Sequence, residues 1–207
     1  NFQMHYLKER TKMKFLLATG NQKKIKELKR MLSGFDAEIL TLKDLNLDFD
    51  VEETGETFEE NAELKARAGL EFSGLPCIAD DSGLMVDALN GAPGIYSARF
   101  AGEGATNIQR IEKLLDSLKD VKDEDRTAKF VCTICCVFPD GRKIISKGEC
   151  KGKIGYELKG DYDFGYNPVF IAENGQTFAE LNDEQRDKIS HRGKALRSFL
   201  EKLKEVI

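Results

Sequence analysis

The sequence predicts an α/β protein, and three features predict it. Short apolar runs of strand character alternate along the chain with segments whose apolar residues recur at helical spacing. N-cap residues stand three positions before a Glu or Gln at two helix starts, Thr57 and Thr106. Two long apolar runs flank residues 139–142 (PDGR), a sequence typical of a hairpin turn.

The N-terminal half is predicted to contain three strands and two helices. Residues 14–19 form an apolar strand, residues 37–42 a second, and residues 76–80 a third that ends in a loop at two aspartates. A capping box of Thr57 and Glu60 begins an Ala-rich helix that runs toward residue 72. The first helix presents apolar residues on one face, namely Ile25, Leu28, Met31 and Leu32.

The C-terminal half is predicted to begin a second lobe at the helix capped by Thr106 and Gln109. The apolar face of this helix is formed by Ile108, Ile111, Leu115 and Leu118. Residues 126–138 and 143–154 then form a long hairpin. An amphipathic helix that closes the chain carries Leu196, Phe199, Leu200 and Leu203.

Composition limits the function classes. The chain has 207 residues, of which 41% are hydrophobic and 33% charged, as expected for one globular domain or two small lobes. It has neither a run of roughly 20 apolar residues nor a signal-peptide core, so we expect a cytoplasmic protein without a membrane partner. Residues 1–12 are polar and precede Met13, and we interpret them as a tag or an alternative start. The fold is then a single domain of residues 13–207.

Charge and cysteine content argue against two further classes of function. A net charge of −4 disfavours nonspecific binding to a nucleic-acid polymer, so an anionic ligand requires a local basic cluster. Three of the five cysteines lie in the β-branched run of residues 130–138. A redox or metal C-x-x-C is one interpretation, but zinc requires a second ligand pair that the chain does not supply. Core packing is the favoured role.

The adjacent carboxylates Asp80 and Asp81 follow an apolar run and precede Ser82 and Gly83. Such a pair is costly unless a cation or a reaction needs it, which suggests a metal site, although an ordinary surface turn uses the same residue types. A second acidic cluster at Glu52 and Glu53 favours the metal site.

The loop after the first strand has the composition of a phosphate cradle. Glycine allows close approach of the backbone, the helix N-terminus offers N–H groups, and a lysine can reach a bound anion. The spacing differs from a Walker A loop, and an N-cap with solvated lysines is the alternative. The candidate residues are Thr19, Gly20, Asn21, Gln22, Lys23 and Lys24.

Three downstream segments complete the candidate set. Lys65 or Arg67 can turn inward from its helix toward a phosphate or carboxylate. Residues 164–168 (FGYNP) can stack a base and read its edge, or form a packed turn. Ser190 is the predicted N-cap of the last helix, and the cationic residues in its first turn require a nearby anion or electron-rich ligand.

These motifs together resemble the inosine triphosphate pyrophosphatase family, from about Met13 to the C-terminus. They are residues 19–24 (TGNQKK), 52–62 (EETGETFEENA), 79–84 (ADDSGL), 91–99 (GAPGIYSAR), 164–166 (FGY) and 189–193 (ISHRG). The resemblance implies an ITPase-like catalytic domain, a two-lobed mixed sheet flanked by helices with the active site in a central cleft. It also implies a homodimer.

The implied reaction is Mg²⁺-dependent hydrolysis of deaminated purine nucleoside triphosphates (ITP, dITP and XTP) to the monophosphate and pyrophosphate, which cleanses the nucleotide pool. Mn²⁺ is a possible substitute for Mg²⁺. Glu53, Asp80 and Asp81 are the expected metal ligands, and Asp81 is the expected general base. Lys24 and Lys65 would offset phosphate charge. The other implied substrate contacts are residues 19–23, Ser82, Phe164, Gly165, Tyr166, Asn167, Lys188, His191 and Arg192.

Discrimination is expected at position six of the purine, where inosine and xanthine carry a keto oxygen that accepts from donors such as Arg192. One departure bears on it: the family loop usually ends in Asp-Pro, whereas this chain has Asn167. A second departure is that residues 161–163 replace a commonly glycine-rich stretch. An amide oxygen still accepts from a purine N–H. The alternatives are a nucleotide sensor without turnover and a Maf-like pyrophosphatase with another base preference.

Overall fold

The structure, a computed structural model, describes residues 12–161 and 164–207. The predicted N-terminal tail, apart from Lys12, lies outside the described residues. So do Tyr162 and Asp163, two of the three residues that replace the glycine-rich stretch of the family.

The strands of the described residues form one mixed sheet in the order β2-β1-β3-β4-β5-β6. Their bounds are β1 Met13–Leu17, β2 Ala37–Thr41, β3 Cys77–Val86, β4 Thr127–Val137, β5 Lys143–Ile154 and β6 Phe170–Ala172. β1 is parallel to β2 and β3, whereas β3 to β6 pair antiparallel. The predicted α/β class with a mixed sheet is therefore confirmed.

Helices cover both faces of this sheet. Their bounds are α1 Gln22–Leu32, α2 Phe58–Ser73, α3 Asn107–Ser117, α4 Asp183–Ile189 and α5 His191–Lys204. Because side chains alternate along a strand, Phe15 and Leu17 of β1 pack with α1 and α5, while Leu16 packs with α2 on the other face. A third cluster joins α3 to the ends of β3 and β4.

Most predicted elements are confirmed, including the long hairpin, the N-cap at Ser190 and the amphipathic C-terminal helix. The short elements β6 and α4 were not predicted, because three and seven residues carry too little periodicity. The cysteines are free and buried in the core, as expected from their apolar surroundings.

Two details of the helix predictions were wrong. The Glu60 carboxylate accepts from the Glu56 N–H at 2.7 Å, so α2 has the Thr57 cap without the reciprocal half of a capping box. In α3 the capping box is present, but Ile108 is 37% exposed and Leu114 is fully buried in its place. The buried face of α3 is therefore centred on Ile111, Leu114 and Leu118, with Leu115 partly buried at its edge.

The prediction that β3 ends at Asp80 was also wrong, since the strand continues to Val86. Its second half is held by an antiparallel register with β4, in which Asp80 lies opposite Ile134 and Asp81 opposite Thr133. The acidic pair therefore lies within a strand, where pairing fixes both carboxylates. None of the helices in the described residues is long and apolar enough to cross a membrane.

Candidate active site

A cleft of about 960 Å³ opens where β1 ends beside β3. β1 pairs with β3 only at Cys77 and Ile78, and the chain then turns into the loop that begins α1. The carboxyl end of β1, the α1 N-terminus and the middle of β3 thus meet at one edge, where α/β sheets bind ligands. Of the site residues that the resemblance implies, all but Asp80 and Lys188 line the cleft. Arg67, the alternative to Lys65, is exposed and pairs with Glu63 instead.

Asp80 and Asp81 have different partners because neighbouring side chains on a strand point to opposite faces. Asp80 lies toward α1 and α5, where its Oδ2 is 3.0 Å from Lys24 Nζ and 3.1 Å from Arg192 Nη2. Asp81 lies toward α2, and its Oδ1 is 2.9 Å from Lys65 Nζ. One carboxylate is enclosed in an ion-pair network, and the other faces the cleft.

The environment of Asp80 keeps it ionised. Burial alone would raise its pKa, but the charges of Lys24, Arg192 and Lys65 outweigh burial and hold the pKa well below its usual range. Its Oδ1 is buried and has no hydrogen-bond partner among the described residues.

Arg192 has most of its donors engaged. Nη1 donates to Glu27 at 2.6 Å, Nε and Nη2 donate to Asp80, and Nη2 also donates to Ser82 Oγ at 3.0 Å. Burial alone would lower the pKa of this guanidinium, but the negative charges of Glu27 and Asp80 outweigh burial and raise the pKa above its ordinary value. Of its five N–H groups, one on Nη1 remains for a ligand. Arg192 thus chiefly joins α1, β3 and α5.

Lys65 links the second carboxylate pair, because its Nζ is 2.8 Å from Glu53 Oε1 and 2.9 Å from Asp81 Oδ1. Burial raises the pKa of Asp81, and this effect outweighs the lowering by Lys65. Asp81 Oδ2 is buried without a hydrogen-bond partner in the described part of the chain. A carboxylate with a free, buried oxygen and a raised pKa has the properties of a proton acceptor.

Of the three predicted metal ligands, Glu53 and Asp81 lie together in the cleft, whereas Asp80 points to the opposite face of β3. Across residues 12–161 and 164–207, no three His, Cys, Asp or Glu side chains are assembled as a metal cluster. Glu53 and Asp81 nevertheless converge on one ammonium group, and Asp81 has an oxygen to spare. Two carboxylates with open positions suit Mg²⁺, which keeps waters and takes phosphate oxygens as its other ligands.

The predicted phosphate loop is a helix cap and also lines the cleft. Asn21 Oδ1 accepts from the N–H groups of Lys23 and Lys24 at 3.1 and 3.2 Å, which begins α1. Lys24 turns inward to Asp80, and Lys23 Nζ lies 5.7 Å from the centre of the Phe164 ring. Lysines at this position are therefore near the cleft rather than fully solvated.

A side chamber of about 320 Å³ adjoins the cleft, and the two share the lining residues Gln22, Lys23, Phe164, Asn167, His191 and Arg192. The His191 ring stacks on Phe130 at 4.7 Å between centroids, with 13° between the planes. Phe130 lines the cleft, whereas the chamber is lined by the rings of Phe164, Phe178 and His191 among mostly charged side chains. Aromatic rings beside cationic side chains suit a planar heterocycle attached to an anion.

His191 differs from the sequence expectation of a cation. Burial and the neighbouring charge of Arg192 lower its pKa well below the ordinary value, so the imidazole is neutral at pH 7. Its Nδ1 is buried and has no hydrogen-bond partner within the described residues.

Two predicted contacts lie in different surroundings. The Tyr166 hydroxyl donates to the Ser97 carbonyl at 2.7 Å, so it fastens the 164–167 loop to the 3₁₀ helix Gly94–Arg99. Lys188 Nζ donates to Glu184 at 2.9 Å on α4, with a side chain that is 70% exposed and lines neither cavity.

The sequence did not single out Glu27 or Arg99 as site residues. Arg99 lines the cleft 3.5 Å from Glu53 Oε2, and Glu27 pairs with Arg192. Arg99 ends a motif that carried the resemblance, which was a usable signal. For Glu27 the only available signal in the sequence was its position one helical turn after Lys23 and Lys24.

Comparisons with known proteins identify the family. A model of the Ham1 family matches residues 15–202. The chain is 52% identical over 195 residues to the dITP/XTP pyrophosphatase of Haemophilus influenzae, covering 93% of this chain and 100% of the relative. It is 46% identical over 201 residues to the enzyme of the same name from Clostridium perfringens, covering 94% and 98%.

Solved structures agree with these relatives. The HAM1 protein from Coxiella burnetii superposes with a TM-score of 0.85 at 39% identity, covering 93% of this chain and 99% of the other. The Staphylococcus aureus Ham1 protein gives a TM-score of 0.83 at 42% identity, covering 94% and 100%. With a matched family model, close relatives and a shared fold, this chain belongs to the Ham1 family.

Proposed function

We propose that this chain hydrolyses deaminated purine nucleoside triphosphates, namely ITP, dITP and XTP, to the monophosphate and pyrophosphate. The observation that carries the proposal is the position of Asp81, a buried carboxylate of raised pKa beside Lys65, in a cleft that opens into the side chamber. Such an enzyme removes these nucleotides from the nucleotide pool. The relatives from two bacteria carry the corresponding enzyme name.

Asp81 accepts the proton of the water that attacks the α-phosphorus. General-base catalysis requires an ionised acceptor within hydrogen-bond reach, and its efficiency rises as the pKa of the acceptor approaches the working pH. Burial shifts the pKa of Asp81 in that direction. Lys65 and Lys24 lie beside the acidic pair and offset the charge of the phosphates and of the departing pyrophosphate.

Mg²⁺, with Mn²⁺ as a substitute, is part of the proposal. Glu53 and Asp81 would hold it, because both carboxylates pair with the Lys65 ammonium and so lie near each other, and Asp81 Oδ2 has no partner among the described residues. The bound ion would neutralise phosphate oxygens. Asp80, with Lys24 and Arg192 on one oxygen, supports the site from the opposite face of β3 rather than from the cleft.

The side chamber is the proposed site of the base. Phe164 supplies a ring for stacking at the junction of the two cavities, and Asn167 supplies an amide that accepts from a purine N–H. The remaining Arg192 N–H and the unpaired His191 Nδ1 are polar groups at the same junction. A donor there is satisfied by a keto oxygen at position six and opposed by the amino group of adenine.

A homodimer and a cytoplasmic setting complete the proposal. The dimer follows from the resemblance and the cytoplasmic setting from the composition of the sequence. Sedimentation of the purified protein tests the dimer. A single species at the mass of one 23.3 kDa chain would exclude the dimer.

Product analysis tests the reaction. The protein and its Asp81→Asn variant are incubated with Mg²⁺ and ITP, with ATP and GTP in parallel. We expect IMP and pyrophosphate from ITP, with the rate reduced by about 10²- to 10⁴-fold in the variant. Release of orthophosphate places cleavage at another bond, and nucleotide binding without turnover favours a sensor.

A further inference from the structure

Asn61, on the first turn of α2, is a fully buried polar residue outside the groups assigned above. Its side-chain Oδ1 accepts from the Gly55 N–H at 2.8 Å, and its exposed fraction is 0%. Its Nδ2 is buried and has no hydrogen-bond partner in the described part of the chain. An amide is costly to bury, so its one hydrogen bond points to a specific role for this contact.

That hydrogen bond reaches the segment that carries Glu53. Residues 48–55 have no regular secondary structure, so no ladder of backbone hydrogen bonds fixes the Glu53 carboxylate. Gly55 follows two positions later and lies against α2, where a Cβ would stand 2.6 Å from Asn61 Oδ1 and 2.7 Å from Glu60 Cβ. The backbone beside Glu53 therefore packs directly against α2.

Asn61 and Lys65 are four residues apart and lie on the same face of α2. Asn61 holds the backbone of the segment at Gly55, and Lys65 holds the Glu53 carboxylate at 2.8 Å. The two contacts fix Glu53 from both ends, at a separation from Asp81 set by the shared Lys65 ammonium.

We infer that Asn61 is a positioning residue for the reaction, acting through Gly55 to hold Glu53 opposite Asp81. The inference rests on the proposed function, which gives Glu53 its role in the site. Asn61 touches neither the substrate cavity nor the reacting groups, so its effect must pass through Glu53.

A double-mutant cycle tests this route. Asn61→Leu removes the acceptor, and we expect kcat/KM for ITP to fall at least tenfold, since a misplacement of about 1 Å can cost about 10²-fold. In the Glu53→Gln background the same substitution should cost less than about twofold, because the group that Asn61 positions is already lost. Asn61→Asp keeps an acceptor for the Gly55 N–H, so this variant should retain most of the wild-type activity.

A second measurement is independent of turnover. Hydrogen exchange at the Gly55 amide should quicken by about tenfold or more in Asn61→Leu and remain slow in Asn61→Asp, with the β3 and β4 amides unchanged. Glu71→Gln, at an exposed position of the same helix, is the matched control for both measurements. If Asn61→Leu fails to fold, Gly55→Ala disturbs the same contact from the loop side and should give the same cycle with Glu53→Gln.

The outcomes separate the two claims. Wild-type protein that releases no pyrophosphate from ITP refutes the proposed function. An active wild type in which the Asn61 and Glu53 losses simply multiply, or in which Gly55 exchange is unchanged, refutes the positioning role alone.

Discussion

Asp80 of β3 and Arg192 of α5 form a buried ion pair, with 3.1 Å between Asp80 Oδ2 and Arg192 Nη2. Their side chains are 1% and 2% exposed, although 112 residues separate them along the chain. Lys24 and Glu27 of α1 extend the pair into an array of alternating charge. This array lies on one face of β3, whereas Asp81 lies on the other face and lines the cleft.

The two neighbouring aspartates should therefore have opposite effects on stability. Asp80→Asn leaves the buried Arg192 charge without its β3 partner, and we expect the free energy of unfolding to fall by about 3–5 kcal/mol. Urea unfolding at pH 7 measures this change.

Asp81→Asn should leave the free energy of unfolding unchanged or increased. An acid whose pKa is higher in the folded state than in the unfolded state destabilises the fold when ionised, and burial raises the pKa of Asp81 in this way. A loss of stability comparable to that of Asp80→Asn would contradict the assignment of the two faces.

The pH dependence of kcat/KM should reflect Asp81. Only the ionised carboxylate accepts a proton, so activity falls as pH decreases through the pKa of Asp81, which burial raises above that of an ordinary aspartate. Lys65 lowers this pKa, so Lys65→Met should shift the acid limb of the profile to higher pH in the residual activity. Lys119→Met, an exposed control, should leave the limb in place. An unshifted limb in Lys65→Met would exclude Asp81 as the titrating group.

Tyr166→Phe should affect stability more than catalysis. The substitution leaves the Ser97 carbonyl without its donor, and we expect a loss of about 1–3 kcal/mol in the free energy of unfolding. kcat and KM for ITP should both stay within about threefold, because the hydroxyl is engaged by the protein rather than by the cleft. A large rise in KM with unchanged stability would instead support the direct substrate contact that the sequence predicts.

His191 should make stability depend on pH below about 6.5. Its pKa is lowered in the folded state, so in acid the unfolded chain binds one more proton and the free energy of unfolding falls as pH decreases. The slope from this residue reaches at most about 1.4 kcal/mol per pH unit. His191→Phe, which keeps a ring against Phe130, should flatten the dependence between pH 5 and 6.5 in urea titrations. An unchanged slope would show that His191 takes up its proton as readily in the folded protein as in the unfolded chain, and would contradict the lowered pKa.

Base selectivity should persist despite Asn167. We expect kcat/KM for ITP to exceed that for ATP by about 10²-fold or more, since the keto oxygen and the amino group require opposite partners. Asn167→Asp retains an acceptor oxygen and should preserve the ratio within about threefold. Comparable turnover of ATP and ITP by the wild-type protein would defeat the selectivity hypothesis.

Much of the fold could be predicted from local patterns in the sequence. Capping residues located the starts of α2 and α3, and apolar periodicity located α1, α5 and the long hairpin, because these signals depend on neighbours within one turn or one ladder. The continuation of β3 past Asp80 was not readable in this way. Its cause is the register with β4, about 50 residues away along the chain.

The sequence by itself determined the residue types of the site, the α/β class and the family, because these depend on short motifs in order. Only the tertiary structure decided that Asp80 is an ion-pair partner of Arg192 while Asp81 faces Lys65 and Glu53. It also decided that His191 is neutral and that Lys188 lies away from the cleft. Charge state and orientation depend on burial and on partners brought together by strand order and helix packing, and local sequence carries neither.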